Sequence, residues 1–209
     1  DTVRFLQEAG ILFVGAGRNI DEARRPVIIE LNGLKLAFLG YYGTRKHSNS
    51  HPATADSAGT AMRKLPLIRE DILRIRDSVD FISVNLHWGF EKENYPKPSQ
   101  VQFAHRIIDY GADLIVGHHP HVLQGVERYR GKTIAYSLGN FIFGGNSRRT
   151  DRSAILRITI PADTPSQYQS QMLPIQIDYW QPYRLTGAWQ DSIMTSLREY
   201  SSIFEQSIF

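Results

Sequence analysis

Between residues 34 and 117, apolar runs of strand length alternate with amphipathic stretches of helix length, and no other feature restricts the fold as much. Residues 34–39 read as a strand, 66–77 as a helix, 80–86 as a strand, 98–110 as a helix and 113–117 as a strand. The short runs are nearly continuous in apolar residues, as strands covered on both faces must be, whereas the long stretches carry apolar residues on one helical face only. Such a β-α-β-α-β series folds as a layered α/β structure.

The flanking sequence fits around this series. Residues 2–9 read as a helix ending at Gly10, and 11–14 as a short buried strand. Asn19 is placed to cap a short helix that Pro26 stops. Segments 27–31 and 34–39 flank Asn32-Gly33, a strong hairpin signal because both turn positions tolerate positive φ. Residues 41–64 are polar, carry His47 and His51, and are expected as a long loop that is either functional or mobile. Further on, 125–129 and 133–137 form a second hairpin, 154–160 and 172–180 an antiparallel pair, and 188–204 a closing amphipathic helix. Neither repeats nor heptads interrupt the reading, and 1–209 is expected as a single domain.

Composition removes several function classes. The chain has no cysteine, which excludes disulfides and thiolate zinc sites. Its net charge of +3 is too small to argue for nucleic acid, and the doublets Arg24-Arg25 and Arg148-Arg149 read as solvated. Hydrophobic residues at 42% argue against disorder. No apolar run reaches the ~20 residues of a membrane helix.

The chemistry concentrates at the ends of two strands. Asn85-Leu86-His87-Trp88-Gly89-Phe90-Glu91 and Val116-Gly117-His118-His119-Pro120-His121 bring four of the seven histidines there. In an open α/β sheet, ligands bind outside the carboxyl ends of the strands, and neutral imidazole is the commonest metal ligand. Pro120 disfavours the helical region for His119, so an extended chain is expected, with His119 and His121 facing one target and His118 turned away or toward a second. The plainer alternative is four imidazoles capping strand ends. Trp88 either orients His87, lines a substrate pocket or packs in the core. Glu91 has three options: metal ligand, proton donor or hydrogen-bond partner of an imidazole. Gln124 and Asn140 bind substrate or metal-bound water, or else satisfy loop backbone. Tyr41, Tyr42 and Arg45 read as surface residues with a possible anion contact. Ser137 lacks a nucleophile elbow, and Gly15-Ala16-Gly17 lacks the Lys-Ser/Thr of a phosphate loop.

Taken in order, His-Trp-Gly-x-Glu at 87–91, Pro96 and Gln100, Gly111-Ala112-Asp113, Gly117 to Gln124 and Tyr136 to Phe143 resemble one family's signature. It is that of the CapA-type (PGA_cap) proteins of poly-γ-glutamate capsule synthesis, in the calcineurin-like metallophosphoesterase superfamily. The resemblance runs from residue 1 to about residue 160, and Leu6, Gly10-Ile11 and Gly15 to Asn19 look like the segment after the family's Asn-Asn-His motif. That motif, and the Gly-Asp and Asn-x-Glu motifs that supply the first half of the family's metal site, do not occur in this chain. The resemblance therefore implies an α/β fold of metallophosphoesterase type, a β-sandwich flanked by helices and lacking its N-terminal strands.

For the site, the resemblance implies His87, His119 and His121 as metal ligands, and His118 as a fourth ligand or oxyanion contact. Glu91 becomes an auxiliary acid/base, with Trp88, Gln124 and Asn140 against substrate. Manganese, iron or zinc suits such a set, with two ions in the full-length protein. This portion alone is expected to hold metal weakly at best and to be inactive by itself, because it lacks a carboxylate that compensates the ions' charge. Two functions follow: a metal-dependent hydrolase of an anionic polymer or phosphoester, or a non-catalytic component that holds poly-γ-glutamate during export. The implied partners are membrane-bound capsule synthesis and export proteins. The implied location is extracytoplasmic, with membrane attachment through an N-terminal segment outside this chain.

Overall fold

The computed structural model describes residues 1–43, 51–143 and 151–209. Helix α1 (Thr2–Glu8) leads to a two-residue strand, β1 (Ala16–Gly17), and to α2 (Ile20–Ala23), whose first turn Asn19 caps by accepting the Glu22 N–H at 2.9 Å. The expected strand at 11–14 does not form. Val14 packs across Gly40, so the run lies against the neighbouring strand without joining its ladder, and Ile11 and Leu12 stay exposed.

Strands β2 (Val27–Leu31) and β3 (Leu34–Tyr42) form the predicted hairpin, with Asn32 at φ 51° and Gly33 at φ 79°. The short β4 (Gly59–Thr60) pairs with β1. Then come α3 (Leu65–Ile75), β5 (Phe81–His87), α4 (Pro98–Asp109), β6 (Leu114–His118) and the hairpin β7 (Val126–Tyr129) and β8 (Lys132–Ala135). The chain closes with β9 (Arg152–Thr159), β10 (Gln169–Asp178), β11 (Gln181–Arg184) and α5 (Gly187–Ser201). Strand β11 was not expected. Its turn is Tyr179-Trp180, at φ 44° and 66°, where a sequence reading looks for Asn-Gly.

Six strands form a mixed sheet in the order β2-β3-β5-β6-β8-β7, parallel from β3 through β8 and antiparallel at both edges. Alternation divides its two faces. Ala37, Leu39 and Tyr41 of β3, Ile82, Val84 and Leu86 of β5 and Ile115 of β6 pack with Ile68 and Ile72 of α3 and Ala104 and Ile107 of α4. The opposite residues, Phe81, Leu114 and Val116, meet Tyr168 and the β9 side chains Leu156 and Ile158. The antiparallel sheet β11-β10-β9 thus covers the second face, and α5 seals the end through Ile193 and Leu197. The layers are helix, sheet and sheet, the α/β sandwich expected.

Arg24, expected on the surface, is instead drawn inward by Asp71. That carboxylate is 2% exposed and accepts hydrogen bonds from Arg24, Arg74 and the Tyr41 hydroxyl at 2.8–3.0 Å. Burial beside a carboxylate pushes the Tyr41 hydroxyl's pKa upward.

Candidate functional site

Parallel pairing sets the site's floor. Tyr42, His87 and His118 end β3, β5 and β6 and stand in register with one another. The Tyr42 ring stacks on His87 at 4.7 Å between centroids. Trp88 N–H donates to the His118 carbonyl at 3.0 Å, so the two strand ends remain tied as their loops diverge.

The first loop turns at Gly89, where φ is 89° and a side chain would crowd Gln100, and it presents Glu91 to solvent. The second carries His119, Pro120 and His121. A further bond, Lys92 N–H to the Pro120 carbonyl at 2.8 Å, brings the loops together. As a result Glu91, His119 and His121 each offer one donor atom, all within 4.8 Å of one another. The His87 ring lies 4.6 Å from that of His119.

His119 and His121 do converge, but not by strand alternation. Their φ values are 100° and 59°, so neither is extended. Pro120 does keep His119 out of the right-handed helical region, and the chain takes the positive-φ side. Such backbone is uncommon outside glycine, though histidine takes it more readily than most residues.

Asn140 orients one of these imidazoles. Its Oδ1 lies 2.7 Å from His121 Nδ1, which as the donor leaves the Nε2 lone pair free for an ion. Asn140 is buried at 7% exposure, so it acts on the imidazole rather than on substrate. Phe143 packs against the other side of His121, 4.9 Å between centroids. If this support matters, Asn140→Ala lowers metal affinity by about ten- to a hundredfold while Asn140→Asp retains it. Zinc titration checks this, and equal affinities in all three proteins would refute it.

Two expected substrate contacts are core residues. Trp88 is fully buried, donates its indole N–H to the Tyr136 carbonyl at 2.9 Å and stacks on the Tyr136 ring. Gln124 is also fully buried, with its amide spanning to the Glu93 carbonyl at 2.7 Å. Neither can touch a ligand; each positions a site loop. His118 remains exposed at the strand end, outside the three-donor cluster, yet crowding protein atoms lower its pKa by desolvation. Arg45 and His47 lie outside the described residues, and Ser137 is buried.

Sequence reasoning missed Arg63. Its guanidinium donates to the Gly43 carbonyl at 3.2 Å and sits 4.7 Å from the Phe103 ring, and burial lowers its pKa. Nothing in its local sequence signals that position.

Fold and site together define a layered α/β protein with a carboxylate–imidazole cluster at the carboxyl edge of its parallel strands. The profile of the bacterial capsule synthesis protein PGA_cap family matches residues 1–145, and the chain belongs to that family. It is 34% identical over 192 residues to the capsule biosynthesis protein CapA of Bacillus anthracis, covering 90% of this chain and 46% of that protein. To the PGA biosynthesis protein CapA of Bacillus subtilis it is 30% identical over 203 residues, covering 97% of this chain and 53% of the relative. The chain thus spans about half the length of these curated relatives. A 5'-nucleotidase structure from Candida albicans is similar at 11% identity with a TM-score of 0.48, covering 95% of this chain and 38% of that one.

Proposed function

We propose that this protein is a metal-dependent hydrolase in poly-γ-glutamate capsule synthesis, of metallophosphoesterase type, acting on the anionic polymer or on a phosphoester. The observation that carries the reading is the Glu91, His119 and His121 cluster, three donors within 4.8 Å. One carboxylate and two imidazoles suit manganese, iron or zinc. A divalent ion held there supplies Lewis-acid activation of water and of the scissile group.

The chain's own residues divide the remaining work. His119 and His121 bind through imidazole nitrogen, and Asn140 holds the His121 tautomer. His87, fixed between Tyr42 and His119, offers a further imidazole. Glu91 serves here as a ligand, which moves the acid/base role to His118. Desolvation lowers its pKa, which favours the neutral imidazole, the form that can accept a proton. These donors account for one ion; the second of an expected pair needs further groups. Residues 1–209 act as one unit in this reading, outside the cytoplasm and beside membrane-bound synthesis and export proteins. The family membership supports that setting. No helix among the described residues is long and apolar enough to cross a membrane.

Elemental analysis tests the reading. The metal-free chain, given zinc or manganese, should take up one exchangeable ion that EDTA removes. The His119→Ala/His121→Ala variant should take up none while keeping its melting temperature. Metal-dependent cleavage of a generic phosphodiester or a γ-glutamyl bond then identifies the reaction. Unchanged uptake in the double variant would refute the site, and polymer binding with no turnover even in the metal-loaded chain would favour a binding component.

A further inference from the structure

We propose that a cavity walled by the two donor-bearing loops is a subsite for one carboxylate-bearing unit of the polymer, with Arg152 as its anion-binding group. The inference rests on the reading of this protein as one that acts on poly-γ-glutamate.

The cavity holds about 350 Å³, toward the lower end of the roughly 300–1,000 Å³ of small-ligand sites. Its walls include Asn94 from the loop after β5, Val122 and Leu123 from the loop after β6, Arg152 at the start of β9, and Ser196 and Tyr200 from α5. The first two walls are the loops that carry the donors. Glu91 and Asn94 are three residues apart, a span of at most about 11 Å, and Val122 directly follows His121. Asn94 Nδ2 donates to the Leu123 carbonyl at 2.9 Å, so the loops are fastened at the cavity as well as at the donors. The cavity therefore shares its two loops with the donor cluster, although none of the three donors lines it.

The lining matches a glutamyl unit in kind. Val122 and Leu123 offer apolar surface to methylenes, while Asn94, Ser196 and Tyr200 offer hydrogen-bonding groups to amides. Arg152 supplies the charge. It is exposed and forms no ion pair among the described residues. Residues 44–50 and 144–150 contain no Asp or Glu that could occupy it. Arg152 also lies beside the Asn140 turn, because a side chain on Gly139 would come within 3.2 Å of the Arg152 carbonyl. The α5 and β9 walls lie beyond the family match at 1–145, so that match does not itself define this subsite.

Calorimetric titration of the full chain with a short γ-glutamyl oligomer, in EDTA, tests the assignment. Wild type should bind. Arg152→Gln should weaken binding about tenfold, Arg152→Lys should retain most of it, and Ser196→Trp, which fills the cavity, should weaken it too. An oligomer with its α-carboxylates converted to amides should bind wild type as poorly as the acid binds Arg152→Gln. The inference falls if wild type fails to bind, if Arg152→Gln and Ser196→Trp bind as wild type does, or if equimolar inorganic phosphate displaces the oligomer. The His119→Ala/His121→Ala variant separates this inference from the hydrolase reading. Oligomer binding lost only there would overturn the subsite and leave the metal centre standing. Arg152-dependent binding in a chain that takes up no metal would support the subsite and end the hydrolase reading.

Discussion

Gly117→Ala should cost the protein about 2–6 kcal/mol, the sum of an overpacked core and a broken buried hydrogen bond. Gly117 lies in the middle of the site's support. A Cβ there would overlap both the Tyr136 carbonyl oxygen and Trp88 Nε1, the two ends of the hydrogen bond that crosses β6 at this point. The indole and the Tyr136 ring are fully buried and stacked, with Phe204 against the far side of Tyr136, so neither partner can withdraw. Any relief must come from β6 shifting, and β6 ends in His118 and leads straight into His119. Against a typical total of about 5–15 kcal/mol, the loss is enough to populate unfolded chain on mild heating.

A comparison isolates the cause. Gly131, in the β7–β8 turn at φ 76°, has open space around its would-be Cβ. Gly131→Ala should therefore cost only the backbone term, about 1–2 kcal/mol. Urea unfolding of both variants beside wild type measures the difference. A Gly117→Ala midpoint equal to that of Gly131→Ala would refute the steric account.

This dependence of the site on its core also explains what the sequence could and could not convey. The apolar runs and helical patterns were legible because burial is what creates them: Ile82, Val84 and Leu86 had to be covered by α3 and α4 whatever else the chain did. Asn32-Gly33 and Asn19 act within a few residues of themselves, so their roles were legible too. The clustering of His119 and His121 was visible from spacing, but their backbone was not, since a positive φ at a histidine is imposed by the surrounding loops. Trp88 and Gln124 look polar enough for a ligand pocket. Their partners, the carbonyls of Tyr136 and Glu93, lie 48 and 31 residues away, beyond any local pattern. The run at 11–14 was misread for the opposite reason. Its composition suits a strand, but a strand also needs a free ladder edge, and composition cannot report one.

Removing the Asp71 carboxylate should be the most damaging single change outside the strand ends. Asp71→Ala should destabilise by about 3–5 kcal/mol, the usual cost of leaving a buried charge without its partner. The stranded charge is Arg24, whose side chain is only 11% exposed. Arg24 also bonds Glu70 at 2.8 Å, but that carboxylate is largely in water and compensates it poorly. The Tyr41 hydroxyl would lose its acceptor as well, and the effect then reaches the site: Tyr41 adjoins Tyr42, whose ring lies on His87. Asp71→Ala should accordingly lower both the unfolding midpoint and the zinc affinity of the folded protein. Arg24→Met/Asp71→Leu should be much less damaged than Asp71→Ala, because a buried pair replaced together by apolar groups leaves no orphaned charge. Chemical denaturation of the two variants decides the matter. If the double variant is as unstable as Asp71→Ala, shape rather than charge holds α3 to β3, and the electrostatic explanation fails.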